Sequence, residues 1–130
     1  MSRSLLPQIG GVLITTLMAQ SAPAVQGADT DVYDVRELFT TCSVAPDSAE
    51  YAAASSGCLG FIGGAVQYHD AVSDRKHLKR LICYPKGATV TDGRAVFVAW
   101  GQKNLANEER MNEIAVVGLV RALAEKYPCR

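Results

Sequence analysis

The stretch CLGFIGGAV, residues Cys58–Val66, places one cysteine and three glycines within nine residues, and its interpretation decides how the rest of the chain can fold. A phosphate-binding loop would need a strand followed by G-x-G-x-x-G, and these glycines do not have that spacing. A Walker loop is also excluded, because Gly-Lys-Ser or Gly-Lys-Thr is missing. Gly60 and Gly64 instead share one helical face, where glycine permits close approach of a packed helix at a cost of about 1 kcal/mol each in helix propensity. The same pair would favour dimerisation of a membrane helix, but the segment is too short to span a bilayer.

The first 27 residues have the pattern of a cleavable signal peptide. Arg3 supplies a positive charge, Ile9–Ala19 is an apolar segment shorter than the roughly 20 residues of a membrane helix, and small residues up to Gly27 offer cleavage sites. A disordered leader or a retained amphipathic anchor is the alternative. We therefore expect residues 1–27 to be removed on export and residues 28–130 to form a single helical domain that does not associate with membranes.

The charge balance argues against general nucleic-acid binding. The chain has 13 basic and 13 acidic residues, and removal of Arg3 would leave a net charge of about −1. General nucleic-acid binders carry a strongly basic face. We therefore expect no nucleic-acid partner.

All four cysteines, Cys42, Cys58, Cys83 and Cys129, lie in the predicted domain. An even number in a small exported protein indicates two disulfides, each contributing about 2–4 kcal/mol. The spacings include no C-x-x-C pair, so we predict neither a metal site nor a cofactor. If the last two helices form an antiparallel hairpin, Cys83 comes near Cys129. Cys42, at the end of the first helix, then pairs with Cys58 across the first helix corner. Four cysteines permit three pairings, and the other two stay open.

Apolar periodicity predicts an all-α, small four-helix domain stabilised by these disulfides. Val35, Leu38, Phe39 and Cys42 form a single stripe after the expected N-cap Asp34. Thr89 and Asn107 are the expected caps of later helices. The predicted helices are residues 34–42, 50–68, 91–104 and 108–127, the second of them buried and central. The polar run 69–81 is predicted to be a loop or a short exposed helical turn.

The last predicted helix is apolar around most of its circumference. Met111, Ile114, Ala115, Gly118, Ala122 and Leu123 form one set, and Val116, Leu119, Val120 and Leu123 form a second. Such a helix lies either in the centre of a core or between subunits, so a homodimer is one of two alternatives.

Two features of the polar run could carry function. His69 stands beside Asp70, an arrangement compatible with acid–base catalysis, but no serine or free thiol is marked as its nucleophile. We therefore predict no catalytic residues and no enzymatic activity. Arg75, Lys76, Lys79 and Arg80 form a basic cluster that is either a solvated face or a surface recognising an acidic partner.

The order of these motifs resembles the Rap/Tai immunity-protein family. The similarity runs from the helix ending in Cys42 through Cys58-Leu-Gly-Phe-Ile-Gly-Gly and Cys83-Tyr-Pro-Lys-Gly-Ala-Thr to Ala122-Leu123 and Tyr127-Pro128-Cys129. It covers about residues 33–129. The resemblance implies a small periplasmic helical protein that binds a type VI secreted peptidoglycan amidase and occludes its active site. The alternative is a periplasmic stress-protective or general binding protein without an amidase partner.

Under this interpretation the partner would contact exposed loops that the disulfides hold in place. Exposure alone selects two segments, residues 68–80 and the turn around residues 102–107. The candidate partner-binding residues are Tyr68, His69, Asp70, Asp74, Arg75, Lys76, His77, Lys79, Arg80, Gln102, Lys103 and Asn104.

Overall fold

A computed structural model of the protein describes residues 34–130, apart from the side chain of Lys76. The predicted signal peptide lies outside the described residues. The described chain forms five helices: α1 (Val35–Cys42), α2 (Tyr51–Lys76), α3 (Val90–Asn104), α4 (Glu108–Met111) and α5 (Ala115–Lys126). The prediction of an all-α, small four-helix domain with two disulfides is confirmed, and α4 is an additional helix of four residues. None of the helices within residues 34–130 is long and apolar enough to cross a bilayer.

Side-chain caps fix where three helices begin. The Asp34 carboxylate accepts a hydrogen bond from the Glu37 N–H at 2.8 Å. Thr89 and Asp92 form a reciprocal capping box at the start of α3, and the Asn107 side chain caps α4. These side chains satisfy N–H groups that have no partner within their own helix. The three predicted caps are therefore confirmed.

The short helix α1 lies at the centre of the domain, in contact with α2, α3 and α5. Its Val35 and Leu38 are fully buried. The core around them contains Cys42, Cys58, Ile62, Ile82, Phe97, Trp100, Met111, Ala115, Leu119, Ala122 and Leu123. The prediction of a buried central second helix is wrong, because most residues of α2 are exposed or half-buried and α1 occupies the centre.

Two helix boundaries also differ from prediction. The polar run is not a loop at its start, since α2 continues to Lys76 and turns its buried Ser73 inward. The predicted helix 108–127 is broken between α4 and α5, and in the break the Glu113 carbonyl accepts the Val35 N–H at 2.9 Å. This interruption satisfies the first amide of α1. It also leaves Ile114 exposed rather than in the core stripe.

Close helix packing depends on different glycines from those predicted. A Cβ added to Gly60 or Gly64 would meet no atom within 4 Å, so neither glycine mediates close approach. By contrast, a Cβ at Gly101 would overlap the Phe39 ring, and one at Gly118 would overlap the Val35 side chain. The glycines of α3 and α5 therefore make room for the central helix.

Two disulfides connect these elements. Cys42 pairs with Cys58 and Cys83 pairs with Cys129, with Cα–Cα distances of 5.1 and 5.0 Å. The first disulfide attaches α1 to α2, and the second attaches the connection after α2 to the chain end after α5. No cysteine of the described domain is free.

Candidate partner-binding surface

The chain after α2 turns back along that helix, and we call residues 77–84 the return segment. His77 adopts the left-handed conformation, with φ of 52°, and thereby ends α2. The Leu78 N–H then donates to the Ser73 carbonyl at 3.1 Å. The return segment contains much of the polar run in which partner contacts were predicted.

His69 fastens the return segment to α2. Its side chain is only 9% exposed, and its Nε2 accepts a hydrogen bond from the Leu81 N–H at 3.2 Å. Because Nε2 is the acceptor, the ring proton resides on Nδ1, which lies 2.9 Å from the Asp70 carboxylate. Both ring nitrogens are therefore occupied within the protein, and the geometry gives His69 a structural role.

Arg80 makes a second attachment to α2. Its guanidinium donates to the Asp74 carboxylate at 2.8 and 3.3 Å, and it lies 3.7 Å from Asp70. The hydrogen bond with Asp74, followed by its charge, raises the pKa of Arg80 above its ordinary value. Four of the predicted contact residues, His69, Asp70, Asp74 and Arg80, thus interact with one another inside the protein.

The far end of the return segment is attached to the end of α5. The Cys83 N–H donates to the Tyr127 carbonyl at 2.8 Å, next to the Cys83–Cys129 disulfide. Ile82 is buried in the core and pairs with Pro128 in an isolated antiparallel bridge. Because both ends are fixed, the side chains between them are held in place before any partner binds.

This arrangement presents three large apolar side chains to solvent. Tyr68 is 73% exposed, Leu78 is 56% exposed and Leu81 is 55% exposed. Arg75 and Lys79 are also exposed. We call these five residues the return-segment surface. Soluble proteins rarely expose contiguous apolar patches, and those that occur often mark interaction sites.

The predicted contact residues include Tyr68, Arg75 and Lys79 but not Leu78 and Leu81, which the structure also exposes. Two leucines within a strongly polar run were the available signal. They were missed because the apolar pattern alone does not tell whether such leucines face the core or solvent. His77 is exposed in the return segment, and nothing is described for the Lys76 side chain.

The second predicted segment lies at the end of α3. Gln102 and Lys103 are exposed, whereas Asn104 is half-buried. Asn104 donates to the Trp100 carbonyl at 2.8 Å and accepts from Arg110 at 2.9 Å. Lys103 and Asn104 also line a groove of ≈ 500 Å³ between α3 and α5.

A smaller cavity lies beside the return segment. It has a volume of ≈ 210 Å³ and is lined by Tyr84, Asp70 and Tyr127, together with apolar side chains of α2, α3 and α5. The Tyr84 hydroxyl is buried without a hydrogen-bond partner. Burial, and secondly the nearby Asp70 carboxylate, raise the pKa of Tyr84 to about 12. Tyr84 therefore stays neutral well into the alkaline range.

A second apolar surface lies at the start of α5. Ile114 is 65% exposed, and Val116 and Val117 are exposed beside it. Leu119 and Leu123, from the same predicted apolar set, are instead buried in the core. We call Ile114, Val116 and Val117 the α5-start surface.

Residues 34–130 contain no group of three or more His, Cys, Asp or Glu side chains placed to hold a metal ion. The His69–Asp70 pair is engaged in holding the return segment. The return segment, held in this way, exposes the apolar side chains of Leu78 and Leu81 together with the cation Lys79.

Comparison with known proteins identifies the family. A search of curated proteins and a search of solved structures each returned no match. A family model of Rap1a immunity proteins, however, matches residues 34–129. Proteins of this kind protect against a secreted effector protein by binding it. Since the match includes nearly every described residue, the chain belongs to the Rap1a immunity protein family.

Proposed function

We propose that this protein is exported to the periplasm, where it inhibits a type VI secreted peptidoglycan amidase by occluding the active-site cleft. Its target would act on peptidoglycan, so the inhibitor must reach the same compartment. The predicted signal peptide at residues 1–27 would provide that export. Two disulfides are in keeping with an oxidising compartment.

The single observation that carries the proposal, together with family membership, is the return-segment surface. Leu78 and Leu81 expose apolar side chains on the return segment, which is fastened at both ends, and Tyr68 is exposed on α2. Rigid apolar anchors lose little conformational entropy on binding, and aromatic anchors dominate many interfaces. We propose these three residues as the centre of the interface.

We propose that the polar predicted contacts lie around this centre. A stable interface buries roughly 800 Å² on each partner, which is more than three side chains supply. We propose Arg75, His77 and Lys79 as the adjacent rim. Gln102 and Lys103 at the end of α3 are proposed as peripheral contacts.

The proposed mechanism is steric and needs no catalytic group on this chain. A segment seated in the cleft excludes the peptidoglycan stem from the amidase active site. His69, Asp70, Asp74 and Arg80 serve this mechanism indirectly, because their contacts hold the return segment in position. Their replacement would loosen the surface instead of removing a direct contact.

An affinity capture tests the proposal. The oxidised protein is the bait, and lysates expressing individual peptidoglycan amidases encoded near its gene supply the candidates. We expect one amidase to be retained at nanomolar affinity and to lose peptidoglycan cleavage when bound. Retention of many unrelated proteins with weak affinity would instead favour a general binding or stress-protective protein.

Variants of the return segment test the surface itself. Replacing Leu78 and Leu81 together by Asp should weaken binding to the captured amidase by at least about 100-fold, because two buried apolar contacts become desolvated charges. Replacing the same residues by Met keeps the surface apolar and should preserve binding within about fivefold. Equal affinity of the Asp variant and the unchanged protein would refute this choice of interface.

We further propose that a second copy of the chain covers the α5-start surface. Ile114, Val116 and Val117 are exposed at a helix start that the rest of the domain leaves uncovered. Sedimentation analysis should give a dimer for the unchanged protein and a monomer for Val117→Asp. A monomer in both cases would rule out the dimer.

A further inference from the structure

We infer that the effector face that binds the return-segment surface is acidic, with carboxylates arranged around an apolar centre. This inference rests on the proposed function and adds the chemistry of the partner. It follows from the charged side chains of the surface, because some of them pair with other groups of this chain and others do not.

Both carboxylates of this region are engaged internally. Asp74 pairs with Arg80 at 2.8 Å, and Asp70 contacts His69 at 2.9 Å and Arg80 at 3.7 Å. Each carboxylate therefore has a hydrogen-bond donor of this chain beside it. Arg80 offsets one of these two negative charges, and the neutral His69 ring only hydrogen-bonds Asp70, so the pair of carboxylates retains about one net negative charge.

The remaining cations have no such neighbours. Arg75 and Lys79 are exposed and form no ion pair within the part of the chain that the structure describes. Lys86, on the connection leading to α3, is exposed as well. The same part of the chain therefore exposes both unpaired cations and the apolar side chains of Tyr68, Leu78 and Leu81.

The excess charge is local. Residues 67–89 contain five basic and two acidic residues, an excess of three positive charges, although the whole chain has 13 of each sign. The other candidate surfaces differ in this respect. The groove between α3 and α5 is lined by Lys103, Lys126 and Glu125, an excess of one positive charge, and beside the α5-start surface Glu113 pairs with Arg121 at 2.6 Å.

Charge of this kind acts mainly on the rate of encounter. Complementary potentials raise association rates far above those of neutral pairs, whereas rim charges affect dissociation little. The Debye length of about 8 Å at physiological ionic strength makes the effect dependent on salt. An acidic effector face would be steered onto this end of the molecule, and a basic one would be repelled.

Stopped-flow association with the purified amidase from the capture tests the inference. Arg75→Glu with Lys79→Glu should lower the association rate constant by about tenfold or more at low salt and change the dissociation rate by less than about threefold. Arg75→Lys with Lys79→Arg keeps the charge and should retain the rate. As a control, Lys126→Glu reverses a cation that lines the groove between α3 and α5, and it should lower the rate by less than about threefold.

The outcomes separate this inference from the proposed function. If the amidase binds the unchanged protein but the reversed variant associates equally fast or faster, the effector face is not acidic and the inference fails alone. If no amidase binds the unchanged protein, both fail together. Charge-dependent binding to phosphatidylglycerol vesicles, with no effect on association with the amidase, would assign the positive surface to a membrane and overturn the inference.

Discussion

Replacement of Gly118 by Ala tests whether the packing of the central helix is as described. An added Cβ would overlap the side chain of Val35, which is fully buried and β-branched and cannot rotate away. Overpacking of this kind costs about 1–3 kcal/mol, and the severity of the overlap places it near about 3. The better helix propensity of Ala offsets about 1 kcal/mol. We therefore expect Gly118→Ala to lower the free energy of unfolding by about 2 kcal/mol.

Gly64→Ala is the matched control, because the same chemical change occurs in another helix. Gly64 is exposed, and an added Cβ would meet nothing within 4 Å. Only the propensity gain remains, so the free energy of unfolding should rise by about 0.5–1 kcal/mol. In a domain of this size the two variants should shift Tm in opposite directions, by about 4–8 °C per kcal/mol.

Urea unfolding followed by the fluorescence of the single tryptophan, Trp100, measures both changes, since this residue is buried in the core. A Val35→Ala background provides the internal test. Removing the two methyl groups of Val35 makes room for the new Cβ, so Gly118→Ala should there be neutral or stabilising by up to about 1 kcal/mol, with a coupling of about 2–3 kcal/mol. A neutral or stabilising effect of Gly118→Ala in the unchanged background would refute the packing argument.

Three other predictions concern the return segment. Replacing Cys83 and Cys129 together by Ala should cost about 4 kcal/mol of stability, about 1 kcal/mol more than removing the other disulfide, because the closed loop is longer (separations of 46 and 16 residues). Equal losses in urea unfolding would contradict the loop-length argument. His69→Ala should speed hydrogen exchange of the Leu81 amide by about tenfold, since its acceptor is lost, and NMR exchange rates measure this change. Because the pKa of Tyr84 is raised to about 12, the neutral phenol stabilises the fold below pH 10, and stability falls as pH rises from 10 through 12. Tyr84→Phe should remove that part of the alkaline loss in pH-dependent unfolding, and an unchanged pH dependence would argue against a raised pKa.

Much of the fold followed from local chemistry. Caps such as Asp34 and Thr89 act within three residues, so sequence alone identifies them. The break before α5 could not be read in this way, because it is stabilised by a contact between the Glu113 carbonyl and the distant Val35 amide. The glycine assignment failed for a related reason. Whether a helix face is approached by another helix depends on tertiary packing, which the glycine spacing at 60 and 64 does not determine.

The contact prediction rested on polarity and exposure, and the structure shows how the residues of the polar run are placed. They divide between two environments. His69 and Arg80 stabilise the return segment through contacts with α2, while Tyr68 remains in solvent. Polarity alone cannot separate these environments, since an ion pair within the protein and an exposed charge have the same sequence signature.

The most direct test of the central claim is inhibition of peptidoglycan cleavage by a captured amidase, titrated with the oxidised protein. We predict complete loss of cleavage at about one inhibitor chain per amidase, together with little inhibition by the Leu78→Asp, Leu81→Asp variant. An amidase that binds the protein tightly and still cleaves peptidoglycan at its full rate would contradict inhibition by occlusion.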